Sequence, residues 1–317
     1  MASTLFKFRT MNTIKDRTLS ADSRGVVNEM VLASDVDLIE GGVAWVRQGY
    51  RNILAGAHSL WSNGSVCLFV RSSVLYRMHD DMGGADALYT LKADDPMDYE
   101  VVNDMVVFSN GTDIGWLSPD GAESFSDPVT GLTMTLSVGS TIQIPNSLEP
   151  TPAGHFITLL NGTLLIASDN VLVRTRPYNI EAVHRVAGYT PFGSHITMLR
   201  AVDNGAWLST LTETYFIPEE GPVIHKGPYP AIERTAYVSK GEFYGSVRGP
   251  LGETIPTMTG KVVWWMSPHG VCVGGNNGEM HAVSEQKVTV SKGDRGAGLF
   301  RDLNGQRHYL AVIDGIA

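Results

Sequence analysis

The sequence predicts an all-β fold: a β-propeller of about six blades, with roughly five to seven as the range, and an extended N-terminal arm. Three observations carry this reading. No window sustains apolar residues at i, i+3, i+4 and i+7, so helical periodicity is nearly missing. Short runs rich in β-branched and aromatic residues dominate instead, among them SVCLFV, MVVFS, TLLIAS, VLVRT, KVVWWMS and HYLAVI. Their punctuation is Asn-Gly, Asp-Asn, Ser-Pro-Asp-Gly and Ser-Pro-His-Gly. Finally, these runs group into a strand–turn–strand–turn–strand unit that recurs about every 40 residues, the size of one propeller blade. The rival architecture is a pair of β-sandwiches divided at Glu149–Pro152; the period of the repeat argues against it.

Residues 1–40 are read as the arm. The stretch Phe6–Val27 (FKFRTMNTIKDRTLSADSRGVV) is polar, alternates aromatic with basic residues and carries no repeat. Lys7, Arg9, Lys15, Arg17 and Arg24 face few acids there, although the whole chain has a net charge of −9. A free tail would leave Phe6, Phe8 and Met11 in water. Phe6, Phe8, Arg9, Met11, Arg17 and Arg24 are therefore expected at a subunit interface, by addition to a neighbour's sheet edge. A loose terminus is the alternative.

Residues 41–317 are read as the propeller. The copies start near Ala57, Met97, His155, Ser194, Thr235 and Ala297, at intervals of 40, 58, 39, 41 and 62 residues. The two enlarged intervals point to insertions, one over residues 127–152 and one over Arg248–Gly260. The sixth copy is too short for a full blade. N-terminal strands such as GGVAWVRQGYRNIL are expected to complete it and close the ring, which removes open strand edges.

Asn-Gly occurs six times, at Asn63, Asn110, Asn161, Asn204, Asn277 and Asn304. The pair suits a two-residue type I′ hairpin, whose central residues both need φ > 0. Three of the six also fit N-x-[ST], at Asn63, Asn110 and Asn161. Glycosylation requires a secretory route, and the N-terminus lacks the apolar core of a signal peptide. The hairpin reading is the one adopted. Synthesis in the host cytoplasm and no insertion into a membrane are expected, since no apolar run approaches the roughly 18 residues that span a bilayer.

The acidic balance speaks against a nucleic-acid footprint, which needs clustered basic surface. Cys67 and Cys272 are far apart in apolar runs, so two buried free thiols are expected. The carboxylate pairs Asp80-Asp81, Asp94-Asp95 and Glu219-Glu220 read as solvated loops, and Asp35-Val36-Asp37 offers too few ligands for calcium. His58, His155 and His195 fall near the starts of three units and read as a recurring structural position. Ser109–Gly121 resembles the Asp-box turn of sialidase-like propellers without its spacing. Arg71, Arg77, Arg174, Arg176, Arg185 and Arg200 show no pattern that assigns them to one cavity. No catalytic, cofactor-binding or metal-binding residues are expected, and the protein is read as a non-enzyme.

Three stretches carry a family resemblance. Gly41–Met78 holds an Arg-x-Gly-Tyr turn, then Ala-His-Ser-Leu-Trp-Ser and Leu-Tyr-Arg; Gly260–Val288 holds Trp-x-Ser-x-x-Gly-x-Cys-x-Gly; the third is Gly296–Val312. Together they resemble a group of bacteriophage and prophage virion structural proteins built on a β-propeller, similar to the tail nozzle or hub proteins of short-tailed phages. The resemblance implies a tail, neck or hub component in the virion that acts through protein–protein contacts. Its implied partners are copies of itself in a ring, six-fold as one arrangement, and neighbouring tail or neck proteins. DNA would pass through the channel without specific binding, and a negative lumen suits that. Similar proteins often carry a β-sandwich where this chain has only the short segment 127–152. The alternative function is a host receptor- or glycan-binding module, with Trp116, Tyr178 and Tyr189 stacking on sugar rings.

Overall fold

The computed structural model describes residues 54–118, 121–125, 148–248, 254–284, 290, 295–303 and 306–313, with short strand segments at 10–11, 29–30, 36–39, 43–46, 133–135 and 141–143; side chains are described outside 118, 240–257 and 301–308 and outside those segments. The chain divides into two compact units, Ile53–Ala201 and Val202–Ala317 with Met1–Asn52. Among the described residues all regular structure is strand, and no helix is long and apolar enough to cross a membrane.

The unit Ile53–Ala201 opens with β1 (Ala57–Ser62), β2 (Cys67–Arg71), β3 (Val74–Met78) and β4 (Ala85–Thr90), paired in that order as an antiparallel meander. A second meander follows: β5 (Asp98–Val102), β6 (Met105–Ser109), β7 (Ile114–Ser118) and β8 (Gly121–Ser124). The third sheet has β9 (Leu148–Pro150), β10 (Phe156–Leu160), β11 (Thr163–Ser168), β12 (Val171–Arg176), β13 (Asn179–His184) and β14 (Tyr189–Pro191). Its order is β9-β13-β12-β11-β10, with β14 also on β12. The boundary between the units falls within β15 (Ile196–Val202).

The other unit continues with β16 (Gly205–Thr210), β17 (Thr214–Pro218) and β18 (Ile224–Gly227), antiparallel in sequence order. Next come the long strands β19 (Tyr237–Arg248) and β20 (Thr254–Ser267), then β21 (Gly270–Gly274) and β22 (Met280–Ala282). The hairpin β23 (Gly296–Leu303) and β24 (Gln306–Ile313) follows. Consecutive up-and-down sheets, most of them four-stranded, are the blade construction of the β-propeller class, and the chain is an all-β protein of that class.

Packing explains the strand runs. β6 is buried on both faces: Val106 and Phe108 join Leu68, Val70 and Leu75 of the first sheet, while Val107 joins Ile157, Leu164 and Ile166 of the third. Met105–Ser109 is therefore a nearly continuous apolar run rather than an alternating one. In the other unit Trp207 is fully buried, 5.7 Å from the Trp265 ring, and its indole N–H donates to Gly275 O at 2.9 Å. A Cβ on Gly274 would lie 2.4 Å from that indole, so the strand backbone approaches as closely as only glycine permits. On the last hairpin Phe300 stacks with Tyr237 and Trp264, and Tyr309 donates to Thr235 O at 2.6 Å.

Several expectations are corrected. Glu149–Pro152, where the rival two-sandwich architecture would divide, begins in a strand: Leu148–Pro150 pairs with Pro150 opposite Ala182 and Leu148 opposite His184. The end of the expected insertion thus belongs to the third sheet. The insertion over Arg248–Gly260 lengthens the β19–β20 hairpin, in which Gly241 faces Gly260. Of the two thiols, Cys272 is fully buried and Cys67 only half-buried. The turn chemistry also differs. Among the described Asn-Gly pairs, Asn161-Gly162 alone has both φ values positive, 46° and 76°. In the four-residue links at Asn63 and Asn110 only the glycine is left-handed, and the Asn Oδ1 accepts two backbone N–H groups instead. The paired positive φ of a type I′ turn falls on Ser72-Ser73 and Asn103-Asp104, where two residues alone join the strands.

Candidate functional site

The unit Ile53–Ala201 contains a cavity of about 290 Å³ between its second and third sheets. Three tight turns and the strands beside them build it. Asn103, in the β5–β6 turn, and Met105 come from the second sheet with Trp116 on β7; Gly162, in the β10–β11 turn, comes from the third with Tyr178, Asn179 and Glu181. Register places Trp116 opposite Val107 and Glu123, so its ring packs on the shared core and meets Phe125 edge-on at 5.8 Å.

Tyr178 sits in the two-residue link Pro177-Tyr178 between Arg176 and Asn179. Pro177 suits the first position of such a turn, and in a type II turn the second position requires φ > 0, normally glycine or asparagine. Here tyrosine takes it, with φ 60°, and its side chain is 88% exposed. For a bulky residue that conformation is an outlier, costing about 1–3 kcal/mol. Two features hold it. The Tyr178 N–H donates to Gly162 O at 2.8 Å, and the ring lies over Gly162 so closely that a Cβ there would be 2.8 Å from the nearest ring carbon.

A second polar group lies nearby, in the same unit. β10 is the edge of its sheet, so alternate N–H groups of that strand lack a strand partner. Carboxylates of β5 accept them: Ile157 N–H donates to Asp98 at 2.9 Å and Leu159 N–H to Glu100 at 3.2 Å. Arg200, on β15, forks onto Asp98 with Nη1 at 2.7 Å and Nη2 at 2.9 Å. Thr158 donates to Glu100 at 3.0 Å and accepts Ala201 N–H at 3.0 Å. Burial pushes the Glu100 carboxyl above its ordinary range, against the pull of those hydrogen bonds and of Arg200. Burial works against the Arg200 charge too, but Asp98 outweighs it and the pKa is raised. This arrangement binds three strands together; its polar capacity is used within the protein.

The residues singled out in the sequence fall as follows. Trp116 and Tyr178 meet at the cavity, but Tyr189 does not line it: its hydroxyl donates to Glu149, and burial with that bond pushes its pKa up to about 12. Phe6, Phe8, Arg9, Arg17 and Arg24 lie outside the described residues, and of Met11 only a backbone strand position is described. His155 and His195 stack at 4.5 Å, with His155 Nε2 2.7 Å from Ile196 O and His195 Nδ1 3.0 Å from Asp169. His58 lies 3.3 Å from Asp94, which also accepts Ser73 N–H at 2.6 Å; that bond foremost lowers the Asp94 pKa. Arg77, Arg185 and Arg200 go to different carboxylates, Asp86, Glu149 and Asp98. Asp113, in the Asp-box-like stretch, is buried and accepts Lys92 N–H at 2.9 Å. Among the described residues no three His, Cys, Asp or Glu side chains gather to hold a metal ion.

Asp98 and Glu100 are not singled out by the sequence reading, and Arg200 appears there only among arginines with no assigned cavity. The signal was present: Asp98-x-Glu100 puts two carboxylates on one face of an apolar strand, and Arg200 interrupts the run ITMLRAV. Asn103, Asn179 and Glu181 carried no signal, because turn and strand-end polar residues are ordinary.

No family model matches the chain, and no curated protein matches it. Among solved structures the chain is similar to virginiamycin B lyase from Staphylococcus aureus, at 12% identity over 83% of this chain and 85% of that one, with a TM-score of 0.47. It is also similar to BBS1N in complex with ARL6DN, at 14% identity over 78% and 72%, TM-score 0.44. A third is the Pan2 WD40 domain of Neurospora crassa, at 7% identity over 70% and 62%, TM-score 0.40. One of the three is thus named as an enzyme, while the others are named as a partner in a complex and as a WD40 domain.

Proposed function

We propose that the chain is a structural component of a bacteriophage virion: a propeller subunit of the tail, neck or hub that acts through protein–protein contacts and not by catalysis. In this reading about six blades close the propeller. Copies form a ring around the DNA channel, bound to neighbouring tail or neck proteins, and the arm at Phe6, Phe8, Arg9, Met11, Arg17 and Arg24 reaches the next copy. The protein is made in the host cytoplasm and resides in the virion.

The observation that supports this most is the use of the buried charge. Asp98, Glu100 and Arg200 are the kind of group that an active site would turn toward a substrate. Here they bind strand edges and one another, which is the economy of a scaffold. The resemblance of Gly41–Met78, Gly260–Val288 and Gly296–Val312 to phage propellers adds the biological setting. The net charge of −9 suits a lumen that repels DNA.

Electron cryomicroscopy of virions carrying the labelled chain tests the proposal. A closed ring on the tail axis is expected, and a lone distal copy at a fibre base would overturn it. Deleting Met1–Arg24 should leave a folded subunit that no longer assembles; rings formed without that segment would remove the arm from the proposal. Turnover of any glycan by the purified chain would end the non-catalytic reading.

A further inference from the structure

We infer that the cavity beside Tyr178 binds the ring of a neutral carbohydrate. This goes beyond the proposed role in a virion and does not depend on it. Three observations converge.

The first is the strained, exposed aromatic. A tyrosine with φ 60° and 88% exposure gains nothing from core burial at that position. Glycine would fit the turn without strain. The conformation is held by the bond to Gly162 O and by contact of the ring with Gly162. The strain therefore fixes a ring in solvent at the mouth of a cavity, as expected where backbone strain serves binding. The second is the lining. Trp116 and Tyr178 supply flat apolar surface, while Asn103, Asn179 and Glu181 supply amide and carboxylate groups. Aromatic faces stack on the axial C–H groups of a sugar ring, and amides and carboxylates suit its hydroxyls. No lysine or arginine is among the lining residues, and a carboxylate is. An anionic ligand such as a phosphate or an acidic sugar is thereby disfavoured. The third is size: about 290 Å³ falls just short of the roughly 300–1,000 Å³ of ligand pockets, which suits a single ring better than an extended chain.

The test is saturation-transfer NMR on the full chain. The probes are the methyl glycosides of glucose, galactose, mannose and N-acetylglucosamine. Transfer to the ring protons of at least one is expected, with a dissociation constant on the order of 1 mM. Tyr178→Gly should fold with a thermal midpoint no lower than the parent's, because glycine accepts the left-handed turn. It should bind the same sugar about tenfold more weakly or worse, through loss of the stacking face. Tyr178→Phe should retain binding. The inference is overturned if none of the four sugars receives transfer, or if Tyr178→Gly binds as the parent does. It is equally overturned if sialic acid or a hexaproline peptide binds in preference to the neutral sugars.

Discussion

Replacing Asp98 by alanine puts the strand-binding network to its sharpest test. Asp98 is 7% exposed and accepts three bonds, from Ile157 N–H and from both terminal nitrogens of Arg200. Truncation leaves the Arg200 side chain, 19% exposed, without its paired carboxylate: Leu199 O at 3.0 Å, the Phe156 ring at 5.5 Å and the more distant Glu100 carboxyl remain. It also strips Ile157 N–H of its acceptor. Breaking a buried pair from one side costs about 3–5 kcal/mol, of which the orphaned N–H accounts for about 1–3. Arg200→Met removes the other charge and leaves Asp98 its bond from Ile157. The double variant buries no uncompensated charge, so it should be less destabilised than Asp98→Ala alone, with a coupling of about 2–3 kcal/mol. Urea unfolding at neutral pH measures each corner of the cycle. Hydrogen exchange at the Ile157 amide reads the site directly and should quicken in Asp98→Ala. A loss under about 1 kcal/mol for Asp98→Ala, or a double variant that equals the sum of the singles, would refute the claim that this pair holds the strands.

Three further outcomes are expected. Trp207→Phe removes the indole bond to Gly275 O inside a fully buried site, and thermal unfolding should show a loss of about 1–3 kcal/mol. Ser109→Ala should cost about 1–3 kcal/mol in urea, because the Ser109 hydroxyl both donates to Gly154 O at 2.6 Å and accepts Gly154 N–H at 3.0 Å. Glu100 has a folded-state pKa raised above its ordinary 4.5, so the stability linked to it is full below that value and is lost as pH rises through the folded one. Glu100→Gln should therefore gain on the parent as pH rises from about 4 to about 8, read as urea midpoints; a gap that does not change with pH would contradict the raised value.

The strands were legible because burial on both faces leaves a plain mark. MVVFS and TLLIAS become β6 and β11, and the blade unit follows from their spacing. The turns were legible as places but not as conformations. Asn-Gly permits a type I′ turn, yet loop length decides which one forms: the four-residue links at Asn63 and Asn110 use the Asn side chain as acceptor, whereas Ser72-Ser73 takes up the double left-handed turn that its composition does not advertise. Leu148–Pro150 was lost in a polar, proline-containing stretch because a three-residue edge strand has no periodicity to read. Its pairing depends on β13, which lies some thirty residues further on.

The two polar groupings differ in a way that only the folded chain reveals. Asp98 and Arg200 stand 102 residues apart in sequence, and nothing local couples them. Their carboxylate and guanidinium satisfy each other and a strand edge, so little of that chemistry is left for a ligand. Tyr178 is the reverse: its residue type suggests an exposed aromatic face, but the left-handed conformation that fixes it is held by Gly162 beneath it. A protein that spends its buried charge on strand edges gains rigidity, and a rigid frame is what allows an exposed ring to be held in an unfavourable turn. The frame and the cavity are therefore linked by the same two sheets, β5–β8 and β9–β14. Weakening the Asp98–Arg200 pair should loosen Tyr178 before it unfolds the unit, because β10 carries both Ile157 and Leu159 and leads directly into the Asn161-Gly162 turn on which the Tyr178 ring rests.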